Sequence, residues 1–230
     1  MSKLPIRVRL KNYYPEWLYR KIRLLRDRKL IERWKEDGQP IPAVDAYKRK
    51  ILAKFVELNN RNIFIETGTF LGDTVFEIYP LVDRVITIEI SKELKTNAER
   101  RFFGNNKVQI LEGDSATVLA SIDPKKLKKD RVIFWLDGHY SGGYTGKGSE
   151  ITPIYRELDC IKEFQYNHVD SIIIIDDKRL FTGNEGYPKA KDLIVYVESL
   201  FGCKVKEYHD FFVFSLDSKE INFPSPEIFI

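Results

Sequence analysis

Residues 62–89, NIFIETGTFLGDTVFEIYPLVDRVITIE, decide the fold. An apolar strand over 62–66 leads through a turn rich in glycine and threonine into a helix over 74–79, and a second apolar strand follows over 84–89. A strand, a helix and a strand in this order are typical of the unit that builds parallel sheets. Because the interior residues of both predicted strands are mostly apolar, the pattern also predicts burial on both faces of the sheet.

The same alternation continues to the end of the chain. Further strands are predicted over 108–111, 132–136 and 171–175, with helices over 92–103, 115–121, 153–165 and 189–201. Two β-rich runs, 204–208 and 211–216, are then joined by only two residues, which favours an antiparallel hairpin. The sequence therefore predicts an α/β fold with a mostly parallel seven-stranded sheet that ends in an antiparallel hairpin.

Composition limits the class of protein. A chain of 230 residues that is 43% hydrophobic and 31% charged is typical of one soluble globular domain with a sizeable core. No apolar run approaches the ~18 residues of a membrane helix, and residues 1–9 lack the apolar region of a secretory signal. The two cysteines, Cys160 and Cys203, suit neither a disulfide framework nor a zinc site, so we expect buried thiols in a reducing cytoplasm.

Basic residues are concentrated in the first part of the chain. Residues 1–61 contain 17 Lys and Arg against 7 Asp and Glu, whereas the remaining residues contain 21 against 27. Within a predicted helix over 15–36, basic side chains alternate with apolar ones, as on an amphipathic helix with a solvated basic face. The same excess also suits an anionic partner, namely nucleic acid, a membrane surface or a phosphorylated substrate, and both interpretations stay open.

Acidic side chains stand at the ends of all five predicted parallel strands: Glu66, Glu89, Asp114, Asp137 and the pair Asp176–Asp177. Ligands of such sheets bind outside the carboxyl ends of the strands. Glu89 comes 23 residues after Glu66, close to the spacing at which a carboxylate binds a ribose diol. Asp114 suits two roles, since it can accept a hydrogen bond from an adenine amino group or cap the next helix.

The motif Glu66-Thr-Gly-Thr-x-x-Gly72, with Glu89, Gly113-Asp114, Asp137 and the final hairpin, resembles class I S-adenosylmethionine-dependent methyltransferases over about 44–217. The resemblance implies their Rossmann-like fold, with a basic helical extension over 1–43 and a methyltransferase domain over 44–230. It places Glu66 and Gly68 beside the methionine part of the cofactor, Glu89 on the ribose, and Asp114 and Ser115 beside the adenine. The cofactor-binding residues that it implies are Glu66, Gly68, Thr69, Gly72, Asp73, Thr74, Glu89, Ser91, Gly113, Asp114, Ser115 and Asp137.

Three aspartates are predicted to converge, because Asp137 ends the fourth strand and Asp176 and Asp177 end its neighbour. Uncompensated carboxylates repel one another, and a hard divalent cation removes that cost. The pattern is similar to metal-dependent O-methyltransferases that act on catechols and macrolide sugars, which implies Mg²⁺ or Mn²⁺ at these three residues. The alternative is that Asp176-Asp177 caps a loop and pairs with Lys178 or Arg179.

The residues that would handle the acceptor follow the fourth strand. His139 and Asp137 are both candidate bases, since each can take the proton of an acceptor hydroxyl. The glycine-rich loop 138–149 suits either a mobile lid or an ordinary flexible loop. Residues 137–143 and 152–154 also look like a bacterial and viral group often associated with surface-polysaccharide genes, which implies a sugar or glycan acceptor.

Three functions are therefore compared. The first is a metal-dependent O-methyltransferase of a sugar. The second is a nucleic-acid methyltransferase that uses the basic N-terminal region, although Asp137-Gly-His-Tyr stands where an N-methylating Asn/Asp-Pro-Pro-Tyr/Phe motif would be. The third is a non-catalytic module whose N-terminal helices bind a partner. Under any of them, these helices suit peripheral contact with a membrane, a glycosyltransferase partner or a second copy of the chain.

Overall fold

The computed structural model describes residues 15–138, 152–217 and 219–225. Two helices come first, α1 (Glu16–Glu36) and α2 (Asp45–Leu58). Strands and helices then alternate: β1 (Ile63–Thr67), α3 (Asp73–Ile78), β2 (Arg84–Glu89), α4 (Lys92–Arg101), β3 (Val108–Glu112), α5 (Ser115–Ser121), β4 (Arg131–Leu136), α6 (Ile154–Tyr166), β5 (Asp170–Ile175), α7 (Ala190–Phe201), β6 (Lys206–Tyr208) and β7 (Phe211–Ser215).

The sheet has seven strands in the order β3-β2-β1-β4-β5-β7-β6. Strands β1 to β5 run parallel, and β7 pairs antiparallel with both β5 and β6. The predicted α/β fold with a terminal antiparallel hairpin is therefore confirmed. The strand order reverses between β1 and β4, which is where open α/β sheets bind their ligands.

The burial of the strands explains why they could be recognised in the sequence as apolar runs. Every residue of β1 is buried, as are all but the first residue of β4 and of β5. One apolar layer contains Phe55 and Phe64, and the other contains Phe134 and Phe164, whose rings lie 5.1 Å apart edge to face. The sheet is thus covered on both faces and holds its strand ends at fixed positions.

Several predicted boundaries differ from the structure by one or two residues. The helix predicted over 92–103 ends at Arg101, and the first hairpin strand begins at Lys206 rather than at residue 204. That strand is short because its pairing with β7 begins at Lys206 and Val213. Both of these differences are two residues; one is at the end of a helix, and the other is at the sheet edge, where only one neighbouring strand fixes the register.

Helix α1 differs from the expected amphipathic helix. It buries Arg23 and Asp27, each 3% exposed, together with Tyr19, Ile31 and Trp34. The expectation of a solvated basic face is wrong for Arg23, because Arg23 donates to Asp27 on its own helix and to Glu77 of α3. Ion pairing thus lets charged side chains face inward, and large apolar side chains are left on the outside: Trp17, Ile22, Leu24, Leu25 and Leu30.

Two further expectations concern the thiols and the membrane. Both cysteines are free, and Cys203 is buried as predicted. Cys160 is only half-buried; it lies between α6 and α5, where its Sγ is 3.3 Å from the carbonyl oxygen of Ala116. Among the described residues, no helix combines the length and the apolar character needed to cross a membrane.

Candidate active site

The carboxyl ends of β4 and β5 bring three acidic side chains together. Asp137, Asp176 and Asp177 each offer one oxygen atom, and these three atoms lie within 4.8 Å of one another. Asp176 and Asp177 are buried, whereas Asp137 is half-buried. The predicted convergence is confirmed, and the binding of a metal ion by these residues stays a prediction.

Backbone hydrogen bonds set the positions of these aspartates. The Asp137 amide donates to the carbonyl oxygen and the hydroxyl of Thr67, at 3.3 and 3.2 Å, which ties the end of β4 to the end of β1. The Asp176 amide donates to the Leu136 carbonyl at 3.1 Å. Asp177 has a left-handed backbone with φ of 56°, and its amide donates to Asp176 Oδ1 at 2.6 Å. The chain therefore turns sharply just after β5, which keeps both carboxylates at the edge.

Lys48 of α2 is the residue at this edge that sequence reasoning missed. It is 8% exposed, and its Nζ donates to both carboxylate oxygens of Asp176, at 2.8 and 3.0 Å, and to Asp177. The available signal in the sequence is the position of Lys48, four residues after Val44 and four before Leu52, on the apolar side of helix α2. A lysine on such a side is either paired or exposed at its tip, and this one is paired.

Arg179 and Asp210 complete the group of charges. Arg179 Nη1 donates to Asp177 Oδ1 at 2.6 Å and also to Asp210, in the turn between β6 and β7. The alternative interpretation of Asp176-Asp177 is thus confirmed for Arg179, whereas Lys178 pairs with Glu207 at 2.8 Å. Pairing with Arg179 does not exclude a metal site, because a carboxylate group has about four lone-pair sites.

The acidic cluster, which we define as Asp137, Asp176, Asp177 and Asp210 with Lys48 and Arg179, has unequal charges. Its four carboxylates face two cationic side chains, so two negative charges are uncompensated among these six residues. Burial, and then repulsion by Asp137, raises the pKa of Asp176 well above its ordinary value despite Lys48. Burial by itself lowers the pKa of Lys48, but the charges of Asp176 and Asp177 outweigh it and raise that pKa. An excess of negative charge carried by carboxylate oxygens suits the binding of Mg²⁺ or Mn²⁺.

Glu66 lies beneath this edge, 1% exposed. Its Oε2 accepts a hydrogen bond from the Thr87 hydroxyl at 2.7 Å, and Thr87 is in turn 2.6 Å from the hydroxyl of Thr69. Burial raises the pKa of Glu66 well above its ordinary value, with the hydroxyls of Thr87 and Thr74 opposing the rise. Glu66 is therefore held by hydroxyl groups of β2 and of the turn.

Glu89 ends β2 with its carboxylate fixed by two backbone donors. Oε2 accepts from the Phe70 amide and Oε1 from the Ser91 amide, both at 2.8 Å. Burial raises the pKa of Glu89, and these amides oppose the rise. Each oxygen keeps a further lone pair, so the arrangement fits the two hydroxyls of a ribose. Ser91 itself caps α4, since its hydroxyl accepts from the Leu94 amide at 3.4 Å.

The turn after β1 contains the two motif glycines. Gly68 has φ of 88°, and a Cβ there would lie 2.5 Å from the Asp137 carbonyl oxygen, so the approach of β4 requires glycine. Gly72 is the N-cap residue of α3 and has φ of 68°. Asp73 contacts the Tyr19 hydroxyl at 3.1 Å and Arg101 at 2.9 Å, which links α3 to α1 and α4. Its proposed contact with a cofactor stays a prediction.

Asp114 has the helix-capping role that the sequence left open. Its Oδ1 accepts from the amide and the hydroxyl of Thr117, at 3.0 and 2.8 Å, at the start of α5, whose first residue is Ser115. Arg156 of α6 donates to it at 2.9 Å, and Gly113 before it has φ of 145°. Burial raises the pKa of Asp114, but these hydrogen bonds outweigh it and lower that pKa. Contact of Asp114 with an adenine stays a prediction.

Glu157 of α6 is a second residue that sequence reasoning missed. It is 1% exposed, and its Oε1 has no hydrogen-bond partner in the part of the chain that the structure describes. A Cβ on Gly138 would lie 2.9 Å from this oxygen, which places it beside the end of β4. Burial raises the pKa of Glu157 to about 7, although the hydroxyls of Ser115 and Thr67 oppose the rise. Its signal was an acidic residue beside Leu158 and Ile161 on an apolar helix side.

The histidines are distributed differently from the carboxylates. His139 and all of the predicted glycine-rich loop except Gly138 lie outside the described residues. His209 is in the turn between β6 and β7, with Nε2 3.5 Å from the Tyr47 hydroxyl and its ring 4.5 Å from that of Tyr208. His168 precedes β5 with φ of 56°. Of the two candidate bases, the described structure therefore places Asp137 at the edge.

Comparisons with solved structures identify the fold of the chain. No protein-family model matches the sequence, and no curated protein matches it. The O-methyltransferase TomG of Streptomyces achromogenes, solved with S-adenosylmethionine, matches with a TM-score of 0.53 and 16% identity over 81% of this chain and 86% of that chain. An O-methyltransferase from Bacillus cereus, solved with SAH, gives 0.50 and 13% over 81% and 88%. The chain has the fold of class I S-adenosylmethionine-dependent methyltransferases.

Proposed function

We propose that this protein is an S-adenosylmethionine-dependent O-methyltransferase that methylates a hydroxyl of a sugar acceptor, with Mg²⁺ or Mn²⁺ bound by Asp137, Asp176 and Asp177. The observation that carries the proposal is the convergence of these carboxylates at the ligand-binding edge of a class I methyltransferase fold. TomG and the Bacillus cereus protein are both named O-methyltransferases, which supports a hydroxyl acceptor. The choice of a sugar rests on the sequence resemblance of residues 137–143 and 152–154.

The cofactor suits the part of the edge formed by β1 and β2. When bound, S-adenosylmethionine supplies a methyl group on a positively charged sulfur, which becomes a neutral thioether when the acceptor oxygen takes the methyl. Glu89 accepts hydrogen bonds from the ribose hydroxyls with the lone pairs that Phe70 and Ser91 leave free. The acidic cluster lies on the β4 and β5 side, where its negative charge favours a positively charged methyl donor.

The acceptor suits the part of the edge formed by β4 and β5. A divalent cation, when bound, orients the acceptor and lowers the pKa of a coordinated hydroxyl. Asp137 is the least buried carboxylate of the three, and in this proposal it takes the hydroxyl proton. Lys48 forms an ion pair with Asp176, and Arg179 forms one with Asp177, so both cations offset part of the negative charge at this site. Adjacent hydroxyls of a sugar suit such a site because two oxygens can chelate one cation.

The test replaces both ligands contributed by the end of β5. We expect Asp176→Asn with Asp177→Asn to lower Mn²⁺-dependent methylation of a panel of sugar acceptors by about 100-fold or more, since removal of a catalytic group has effects of this size. Binding of S-adenosylhomocysteine, measured by calorimetry, should stay within a few-fold because Glu89 and Gly68 are untouched. Asp83→Asn is the matched control, because Asp83 is an exposed carboxylate just before β2, at the amino ends of the parallel strands.

Three outcomes would overturn parts of the proposal. Full methylation in excess chelator, or by the double variant, would remove the metal ion from the mechanism. Failure of the wild-type protein to bind S-adenosylhomocysteine would remove methyl transfer itself. Methylation of another hydroxyl compound but of no sugar would leave the enzyme class and exclude the acceptor.

A further inference from the structure

The outer side of helix α1 carries large apolar side chains that contact no core. Trp17 is 68% exposed, Leu24 60%, Leu25 57% and Ile22 46%. A helix on a globular protein normally turns such residues inward, and α1 instead turns Arg23 and Asp27 inward. Clustered exposed apolar side chains of this size mark an interaction surface.

Basic side chains share this surface. Lys21, Arg28 and Lys29 are exposed, and at 100° per residue Lys21 and Lys29 stand on either side of Leu25. Arg28 pairs with Glu32, whereas neither Lys21 nor Lys29 has an acidic partner among the described residues. We call the set Trp17, Lys21, Ile22, Leu24, Leu25, Arg28 and Lys29 the outer α1 face.

A second copy of this chain is a poor occupant of the outer α1 face. Leu18 and Leu25 are seven residues apart, as along the seam of a paired helix, and both possible seams that contain them also contain a basic residue: Lys21 and Arg28 in one register, Lys29 in the other. Pairing two copies would bring these like charges together in an apolar interface. Residues 1–14 add four basic residues and no acidic ones just before the helix. The charge therefore favours an anionic occupant, and the exposed Trp and Leu favour one with an apolar interior.

We propose that the outer α1 face binds the surface of an anionic lipid bilayer. Trp17, Leu24 and Leu25 enter the boundary between headgroups and acyl chains, and Lys21, Arg28 and Lys29 contact lipid phosphates. The helix stays on the body of the protein, because on its inner side Arg23 is bound to Glu77 of α3 and Asp27 to Arg49 of α2. The inference does not depend on the proposed methyl transfer.

Tryptophan fluorescence of the full chain gives a direct readout. Of its three tryptophans, Trp34 and Trp135 are 6% and 3% exposed, so a change of environment at the outer α1 face is reported by Trp17. Vesicles of phosphatidylglycerol and phosphatidylcholine should co-sediment with the protein and shift its emission to shorter wavelength. Pure phosphatidylcholine vesicles should do neither, and high salt should weaken the binding by about tenfold or more, because the contacts are electrostatic.

Two variants separate apolar insertion from charge. Leu24→Ser with Leu25→Ser, and Lys21→Glu with Lys29→Glu, should each reduce vesicle binding by about tenfold or more. Val195→Ser is the matched control, since Val195 is an equally exposed apolar residue of α7, at 59%; it should bind like the wild type.

The proposal is overturned if anionic vesicles do not bind, or if they bind both double variants as well as the wild type. It is also overturned if Trp17 already emits at short wavelength in the free protein and sedimentation shows a dimer, since a second copy then covers the face. Binding of RNA that the charge variant loses, without binding of vesicles, would identify nucleic acid as the partner instead.

Discussion

Lys48 and Arg49 are neighbours on helix α2, yet their side chains enter two buried ion clusters of opposite character. Arg49 joins Arg23 and Asp27 where α1 packs on α2. Lys48 joins the acidic cluster at the carboxyl edge of the sheet. Helix α2 thus supplies Arg49 to one cluster and Lys48 to the other. The two clusters differ in the number of carboxylates and of cationic side chains that surround each of these residues.

The cluster around Asp27 has enough cations for its anion. Asp27 accepts hydrogen bonds from Arg23 at 3.2 Å, Arg49 at 3.1 Å and Arg26 at 2.8 Å. Burial raises the pKa of Asp27, but the three guanidinium groups outweigh it and lower that pKa. A carboxylate that is so well paired is stabilised in its charged form, and it serves to fasten α1 to the body.

In the acidic cluster, by contrast, carboxylates outnumber cations. Burial and the charge of Asp137 raise the pKa of Asp176 even though Lys48 contacts both of its oxygens. Folding gains little by holding such an arrangement, whereas a cationic ligand gains much from it. The difference between the two clusters therefore separates a pairing that maintains structure from one that suits binding.

The largest effect is expected at the cluster around Asp27. Asp27→Asn leaves buried guanidinium groups without their anion, so the free energy of unfolding should fall by about 3–5 kcal/mol in urea titrations. Glu32→Gln breaks an exposed pair on the same helix and should change it by about 1 kcal/mol or less. Equal stability of the two variants would show that the pairing around Asp27 does not hold α1 in place.

Glu157 extends the comparison to a buried carboxyl group near Asp137 of the acidic cluster. Its pKa of about 7 in the folded protein exceeds the ordinary 4.5, so the folded state retains a proton that the unfolded state loses. The stability gained from this proton is complete below about pH 4.5 and is lost as the pH rises through about 7. Relative to Glu157→Gln, the wild-type free energy of unfolding should thus fall by about 3 kcal/mol between about pH 4.5 and about pH 8.

Urea titrations at several pH values measure this difference. Glu163→Gln removes an exposed carboxylate from the same helix and should run parallel to the wild type across the range. A constant difference between wild type and Glu157→Gln would show that Glu157 titrates at its ordinary value in the folded protein.

The smallest effect concerns Lys48 and the proposed cation. Lys48 contacts three oxygens of Asp176 and Asp177, so its ammonium group competes with a divalent ion for them. Lys48→Met should therefore tighten Mn²⁺ binding by about tenfold, or about 1.4 kcal/mol, in calorimetric titrations. Lys54→Met, at a more exposed position of the same helix, is the control. Weaker Mn²⁺ binding by the Lys48 variant would mean that Lys48 positions the ligands rather than competing with the ion.

The fold was predictable because the strands signal themselves. Runs such as 132–136 and 172–175 are apolar throughout, which is typical of strands buried on both faces of a parallel sheet. The outward turn of α1 was not predictable in the same way. Its side chains alternate between apolar and basic, and the inward choice depends on Asp27 and Glu77, which are brought together only by the tertiary structure.

The site was predictable where it follows strand ends. Asp137, Asp176 and Asp177 follow from the rule that parallel strands present their carboxyl ends at one edge. Lys48 and Glu157 do not, because each belongs to a helix whose apolar periodicity explains its neighbours, and a single charged residue within such a pattern does not reveal its partner. Pairing of this kind depends on which helices the sheet brings near its edge.

The antiparallel direction of β7 determines which loop lies beside the proposed acceptor site. It carries the tip between Tyr208 and Phe211 to the edge where the acidic cluster lies, and Asp210 in that tip binds Arg179. A surface tip lengthens at little entropic expense. Under the proposed function, insertions at this tip are therefore a route to a different range of acceptors, while the proposed cofactor side and the sheet keep their sequence.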